Sequence, residues 1–331
     1  MKTTFLEYIT SNAPMPNFNP IEKNILECID NETFLFRGSD TFSNFGEKEE
    51  RQNRTSLTTS NLFLNFSSIY FPDFPNRRKS FFATNFYSNA QQFGDDVFVL
   101  VPHDNVSKFA IMKGDFNLVR VYCLRDLGTG LDSINLSDFV FSFADMSSRI
   151  ISEMDGGGFL FAYRTDALVE KLQKLVECLN KISFGPNEDV SKSDFEKLNS
   201  LFFEAFGSQD FEKLRSEKDD FRFLSLAFGL FDAIKSGKVK DLTDIFKMMV
   251  EEATKTIEIH SSFKDLIKSL KNKNNKNDGF SDYEIWFQGK CSYFKIEWLK
   301  DLLLDANVEE IGSRLSNFEI ATALTIAMHK E

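Results

Sequence analysis

Cysteine is scarce in this chain. Cys28, Cys123, Cys178 and Cys291 are scattered with no paired spacing. They read as reduced core residues of a cytoplasmic protein, neither a disulfide frame nor a zinc site. Histidine is scarcer still: His103, His260 and His329 lie far apart and none has metal-ligand spacing, so no metal is expected. No stretch approaches the roughly 18 apolar residues of a membrane span. The beginning of the chain, Met1-Lys2-Thr3-Thr4-Phe5-Leu6-Glu7, lacks the apolar run of a signal peptide. There is no Walker-type phosphate loop and no Gly-x-Ser-x-Gly elbow. The glycine turns Gly128-Thr129-Gly130 and Gly156-Gly157-Gly158 are not followed by the helix that a dinucleotide fingerprint requires, and read as connections. Positive charge is in deficit: 39 Lys and Arg against 50 Asp and Glu leave a net charge of −11. That average argues against a protein that coats duplex nucleic acid, although it leaves room for a local basic groove.

What is present is enough for one large domain or two ordinary ones. The chain has 331 residues, 42% of them hydrophobic and 27% charged, so it can build a core and is not globally disordered. Phenylalanine dominates the aromatics, with 38 against 7 Tyr and 2 Trp. With the many Asn and Lys, this usage fits AT-rich coding DNA, as in phages and mobile elements.

Residues 1–164 read as the N-terminal part of a β core, the first 125 of them mostly short strands. A helix over 21–29 precedes Thr33-Phe34-Leu35-Phe36, a strand by composition that ends in Arg37-Gly38-Ser39-Asp40. Arginine offers a permanently charged fork for phosphate, and glycine lets a ligand approach the backbone; an ordinary strand exit is the competing reading. Residues 40–62 read as a loop or weak helix, and 63–75 as an aromatic, turn-broken stretch with prolines at 72 and 75. Arg77-Arg78-Lys79 feeds Ser80-Phe81-Phe82-Ala83-Thr84-Asn85, a short strand ending in small polar residues. Strands are also expected at 97–101, 106–112 and 118–124. From 165 to 277 apolar residues repeat at helical spacing. One of these helices has a plausible cap at Ser193 with Glu196 three residues on. This block ends in a cationic low-complexity loop at 271–279. The last part, 278–331, begins Asp282-Tyr283-Glu284-Ile285-Trp286-Phe287-Gln288-Gly289-Lys290, read as the first strand and turn of a hairpin with 291–296. Two further helices, near 297–305 and 308–329, close the chain. Glu284 stands at the lip of a core strand, where it is either aimed at a ligand or a solvated edge residue.

A strand ending Leu35-Phe36-Arg37-Gly38, a strand Phe82-Ala83-Thr84-Asn85 followed by Ala90 and Phe93, and the run Glu284-Ile285-Trp286-Phe287-Gln288-Gly289-Lys290 follow one another in that order. The order resembles the ADP-ribosyltransferases, in particular the arginine–serine–glutamate class of bacterial toxins and phage enzymes. It covers roughly residues 30–125 and 278–298. The resemblance implies an α+β fold: a split mixed β-sheet ADP-ribosyltransferase-like core, a large helical insertion and C-terminal helices. It implies NAD as substrate, held by Arg37 at its phosphates and by the Gly38 backbone at the nicotinamide amide. Glu284 would be the catalytic carboxylate, with Asp282 orienting or deprotonating the acceptor. Ala83 stands where the family's first serine is expected and Asn85 where its last is, so Ser80 and Thr84 are the candidates to substitute. Tyr87 or Phe86 is a candidate to stack on nicotinamide, core packing being the alternative.

The function so implied is mono-ADP-ribosylation of a macromolecular acceptor, RNA, DNA or protein, by a toxin, defence or phage effector, with an antitoxin or inhibitor protein as a further partner and no membrane. The basic segments 77–79 and 271–276 would flank the pocket, or be solvated surface. Two other readings stay open. One is a non-enzymatic interaction module on a degenerate transferase fold, favoured by Ala83. The other is an NAD glycohydrolase that uses water as acceptor.

Overall fold

The structure is a computed structural model that describes residues 20–49, 61–77, 79–155, 165–184, 190–216, 225–275, 283–299 and 325. The expected N-terminal segment, the 156–158 turn, Asp282 and almost all of the two C-terminal helices lie outside the described residues. The strands are β1 (Leu35–Gly38), β2 (Phe45–Lys48), β3 (Phe81–Thr84), β4 (Val97–Pro102), β5 (Phe109–Lys113), β6 (Arg120–Val121), β7 (Ile134–Asn135), β8 (Ile257–His260), β9 (Tyr283–Phe287) and β10 (Cys291–Lys295). The helices are α1 (Glu22–Asp30), α2 (Leu62–Tyr70), α3 (Tyr87–Gln91), α4 (Leu136–Asp155), α5 (Asp166–Phe184), α6 (Lys192–Phe206), α7 (Gln209–Ser216), α8 (Ser225–Lys235), α9 (Leu242–Thr254) and α10 (Phe263–Asn275).

The chain divides into two compact units. One comprises Met1–Gln52, Phe74–Gly114 and Ile257–Glu331; the other comprises Asn53–Asp73 and Asp115–Thr256. The sequence reading runs the helical insertion from 165 to 277; in the structure α2 and α4 belong to the same unit as α5–α9, while β8 and α10 belong to the sheet unit.

The first unit is built on an eight-stranded sheet in the order β2-β10-β4-β1-β3-β9-β5-β8. It is α+β, but the sheet is not mixed: every strand pair in it is antiparallel. The reason is visible where the helical unit departs. The chain leaves after β5 and returns as β8 with Ile257 opposite Met112, so it re-enters at the end it left and must run the other way. β4 is buried at every position, which explains its unbroken Val-Phe-Val-Leu-Val run. In β3, β5 and β9, alternate residues (Phe81, Ala83, Phe109, Ile111, Ile285, Phe287) face the core. Phe263, Leu266, Ile267 and Leu270 of α10 pack into the same core, with Phe263 5.7 Å from Phe109. At about 25 cal/mol per Å², such fully buried side chains are the main favourable term.

Two features of this sheet correct the sequence reading. β9 and β10 are not a hairpin: β9 lies between β3 and β5, and β10 between β2 and β4. Gln288-Gly289-Lys290 has the composition of a tight turn, but it links strands four inter-strand gaps apart. A flat sheet would put those strands about 19 Å apart, while three linking residues span at most about 15 Å. The sheet must therefore fold back on itself between them. The fold falls at the β1–β3 seam, where the ladder is a single pair, Phe36↔Thr84, against four pairs between β1 and β4. Gly289 has φ of 132° in this link, a conformation that favours glycine.

Local expectations also shift. The stretch 63–75 is not merely turn-broken: α2 runs over Leu62–Tyr70 before the prolines stop it. Phe45–Lys48, inside the expected loop, forms the edge strand β2. Of the expected strand 118–124 only Arg120–Val121 pairs as a strand, with β7, and Leu118 is exposed. The cationic loop is helical as far as Asn275. α6 starts two residues early, with Ser191 in the capping position and its N–H donating to Asp194 Oδ2 at 2.9 Å.

The second unit is held by phenylalanine. Phe66 lies 5.1 Å from Phe195 and 5.6 Å from Phe246, both edge-to-face, and Phe63 lies 5.7 Å from Phe246. Such pairs contribute about 0.5–1.5 kcal/mol beyond area burial. Asn65 Nδ2 donates to the Ile182 carbonyl at 2.7 Å, tying α2 to α5.

Candidate functional site

One row of paired residues crosses the whole sheet: Phe45, Phe294, Val99, Phe36, Thr84, Glu284, Met112 and Ile257. Paired residues share a face. The row is apolar except at Thr84 and Glu284, which are directly opposite each other on β3 and β9, beside the seam. A carboxylate in such a row has no packing reason to be there.

Arg77 meets it. Its guanidinium forms an ion pair with Glu284 Oε1, and the two side chains are 7% and 20% exposed. The same guanidinium lies 4.9 Å from the centre of the Phe82 ring and 4.6 Å from that of Trp286. Phe82 and Trp286 are themselves a cross-strand pair, their rings stacked at 6.5 Å. Just before Arg77 its loop is pinned to β9 and to the residue after it: Trp286 Nε1 donates to the Pro75 carbonyl (3.3 Å), and the Asn76 N–H donates to Gln288 Oε1 (3.3 Å). Ser80 Oγ, fully buried, donates to the Asn76 carbonyl at 2.7 Å and closes the loop.

Arg37 reaches the same strand by another route. It is one residue past Phe36, so its side chain leaves β1 on the face opposite to Glu284. Where the β1–β3 ladder stops, its Nη1 donates to the Phe82 carbonyl at 2.9 Å. The guanidinium also lies 5.8 Å from the Phe42 ring. Arg37 and Arg77 thus approach Phe82 from two sides, one at its carbonyl and one at its ring.

The other sequence candidates are distributed as follows. A Cβ on Gly38 would fall 2.0 Å from the Ala90 carbonyl oxygen and 2.9 Å from the Gly94 nitrogen, so this glycine is needed for contact with α3 and the turn after it. Thr84 is buried and its Oγ1 accepts from the Phe86 N–H at 3.2 Å. Tyr87 sits edge-on to Phe36 at 6.0 Å, at the border of the core. Ala83 faces the core, opposite Ile285, so a serine there would point away from Glu284; Thr84 is the residue beside it.

Of the two basic segments, Arg77 is buried against Glu284, and Lys273 on α10 is paired with Glu258. A cleft of about 370 Å³ beside α10 is lined by His260, Asp265, Lys268, Ser269, Asn272 and Lys273. The cysteines are free thiols; burial, with Glu252 nearby, pushes Cys123 up to about 12, and burial raises Cys28 and Cys178 as well. Among the described residues no group of three or more His, Cys, Asp or Glu is placed to hold a metal ion, and no helix is long and apolar enough to cross a membrane.

Sequence reasoning missed Arg77 because a basic triplet reads as surface. The signal that marks it is the aromatic pair Phe82 and Trp286, which offers a planar cation two ring faces. No protein-family model, no curated protein and no solved structure matches the chain.

Proposed function

We propose that this protein is a mono-ADP-ribosyltransferase that transfers ADP-ribose from NAD to a macromolecular acceptor, as an intracellular toxin, defence or phage effector. The observation that carries this reading is the row through the seam. Three motif strands remote along the chain, β1, β3 and β9, are consecutive in one sheet. They bring a carboxylate, a hydroxyl and two guanidiniums around Phe82. These groups have the chemistry a dinucleotide calls for: guanidinium for phosphate, carboxylate for a ribose hydroxyl, and aromatic side chains for a planar base.

NAD supplies the ADP-ribosyl group and, as leaving group, neutral nicotinamide. Glu284 accepts a hydrogen bond from the ribose 2′-hydroxyl and stabilises the positive charge that spreads over the ring as the glycosidic bond breaks. Arg37 binds the phosphates. The acceptor nucleophile bonds to the anomeric carbon and loses its proton to a nearby base, the role given to Asp282. The test is transfer of label from radiolabelled NAD to a lysate, divided into protease-treated and nuclease-treated halves. Label is expected with the wild type and lost with Glu284→Gln, and the half that loses label identifies the acceptor class. Equal labelling by both proteins removes Glu284 from the mechanism.

A second reading, a non-enzymatic interaction module, is favoured by one observation: Glu284 is already engaged by Arg77. Release of nicotinamide from NAD separates the two readings. Release without labelling of any macromolecule identifies an NAD glycohydrolase.

A further inference from the structure

We infer that Arg77 is a positioning residue for Glu284, holding its carboxylate ionised and in one orientation on the aromatic pair of Phe82 and Trp286. The inference rests on the reading of Glu284 as the working carboxylate.

Arg77 is a guanidinium more than nine-tenths removed from water. A buried cation requires both charge compensation and contacts for its faces. Glu284 supplies the charge, and the two rings supply the faces at 4.9 and 4.6 Å. The hydrogen bonds from Trp286 and to Gln288 fasten the Arg77 loop to the strand that carries Glu284 and the residue after it, so cation and anion sit on segments bonded to each other. A carboxylate meant only to fill surface needs none of this. One meant to face a developing cation must stay ionised while partly buried and must not rotate; both follow from a guanidinium fixed beside it. Among the described residues, the other groups facing Glu284 do not compete for this role. On β3 it meets Thr84 and on β5 Met112, neither of which titrates in the working range. Arg37 lies beyond Phe82, bonded to its carbonyl. Lys113, one residue past Met112, is exposed and pairs in register with Tyr283.

The experiment compares the full-length wild type with Arg77→Gln and Arg77→Lys. Two readouts are taken: titration of the Glu284 carboxylate by ¹³C NMR, assigned against Glu284→Gln, and the pH profile of nicotinamide release from NAD. In Arg77→Gln the Glu284 midpoint and the acid limb of the profile are expected to move up together by about one pH unit or more. Arg77→Lys keeps the charge but loses the planar fork, so it is expected to restore most of the midpoint and only part of the rate. A folding role alone would lower the amount of active protein without moving either midpoint. If Arg77→Gln does not give a folded circular-dichroism spectrum, Phe82→Leu, which removes one ring from under the guanidinium, carries the test with the same sign. An unmoved Glu284 midpoint in folded Arg77→Gln, or in Phe82→Leu where Arg77→Gln does not fold, overturns the inference, whether or not NAD is cleaved. A moved midpoint in a protein that releases no nicotinamide supports the Arg77–Glu284 hold and overturns the transferase reading instead.

Discussion

Glu284 and Thr84 are the polar members of a row that is otherwise Phe, Val, Met and Ile, and this makes their chemistry the residue-level core of the account. Arg37 Nη1 donates to the Phe82 carbonyl, and the proposed function gives its guanidinium the phosphates of NAD. Arg37→Ala is expected to weaken NAD binding about ten- to a hundred-fold, the worth of a charged hydrogen bond, measured by calorimetry; unchanged affinity removes Arg37 from the site. The strand positions of Arg37 and Glu284 were legible in the sequence because each lies beside an apolar run. Arg77 was not, because a charge beside two other basic residues gives no local sign of burial. What buries it is the partner strand, more than two hundred residues further on.

At the scale of elements, Gly38 shows how a strand and a helix are fitted together. The Cβ of Gly38→Ala would meet backbone atoms of Ala90, Phe93 and Gly94, none of which is the end of a flexible side chain. This substitution is expected to cost about 1–3 kcal/mol in urea unfolding; stability equal to wild type refutes the close packing of β1 on α3. Two histidines, His103 after β4 and His260 at the end of β8, are held below their ordinary value of 6.5, chiefly by desolvation. A histidine whose folded-state value is depressed binds fewer protons folded than unfolded, so its stabilising contribution is present above pH 6.5 and lost as pH falls below it. Unfolding free energy is therefore expected to drop on acidification from about pH 7.5 to 5.5, with a shallower slope in His103→Gln; identical slopes would contradict the assignment. Most strands were legible from apolar runs bounded by turns, β4 above all. β2 was not, because Phe-Gly-Glu-Lys is an edge strand with little to bury. The partners of β9 were not either, because a Gln-Gly-Lys link looks the same whether the next strand returns beside it or crosses a folded sheet.

At the scale of the whole molecule, the net charge of −11 sets the kind of surface the protein presents. Non-specific association with duplex DNA is expected to be undetectable in gel-shift assays at physiological salt, and a shift that weakens steeply with added salt would reveal a basic groove that the average conceals. The α+β class followed from the change of texture along the chain, short strands first and helical stripes later. The antiparallel sense of the sheet did not, because strand direction depends on where the chain re-enters after the helical unit. The central claim is that β1, β3 and β9 converge to make a site that cleaves NAD, and release of free nicotinamide by the purified protein tests it most directly. The account predicts steady release by the wild type and a fall of about a hundred-fold or more in Glu284→Gln with the fold intact. No release by the wild type, or equal release by the two proteins, would contradict it.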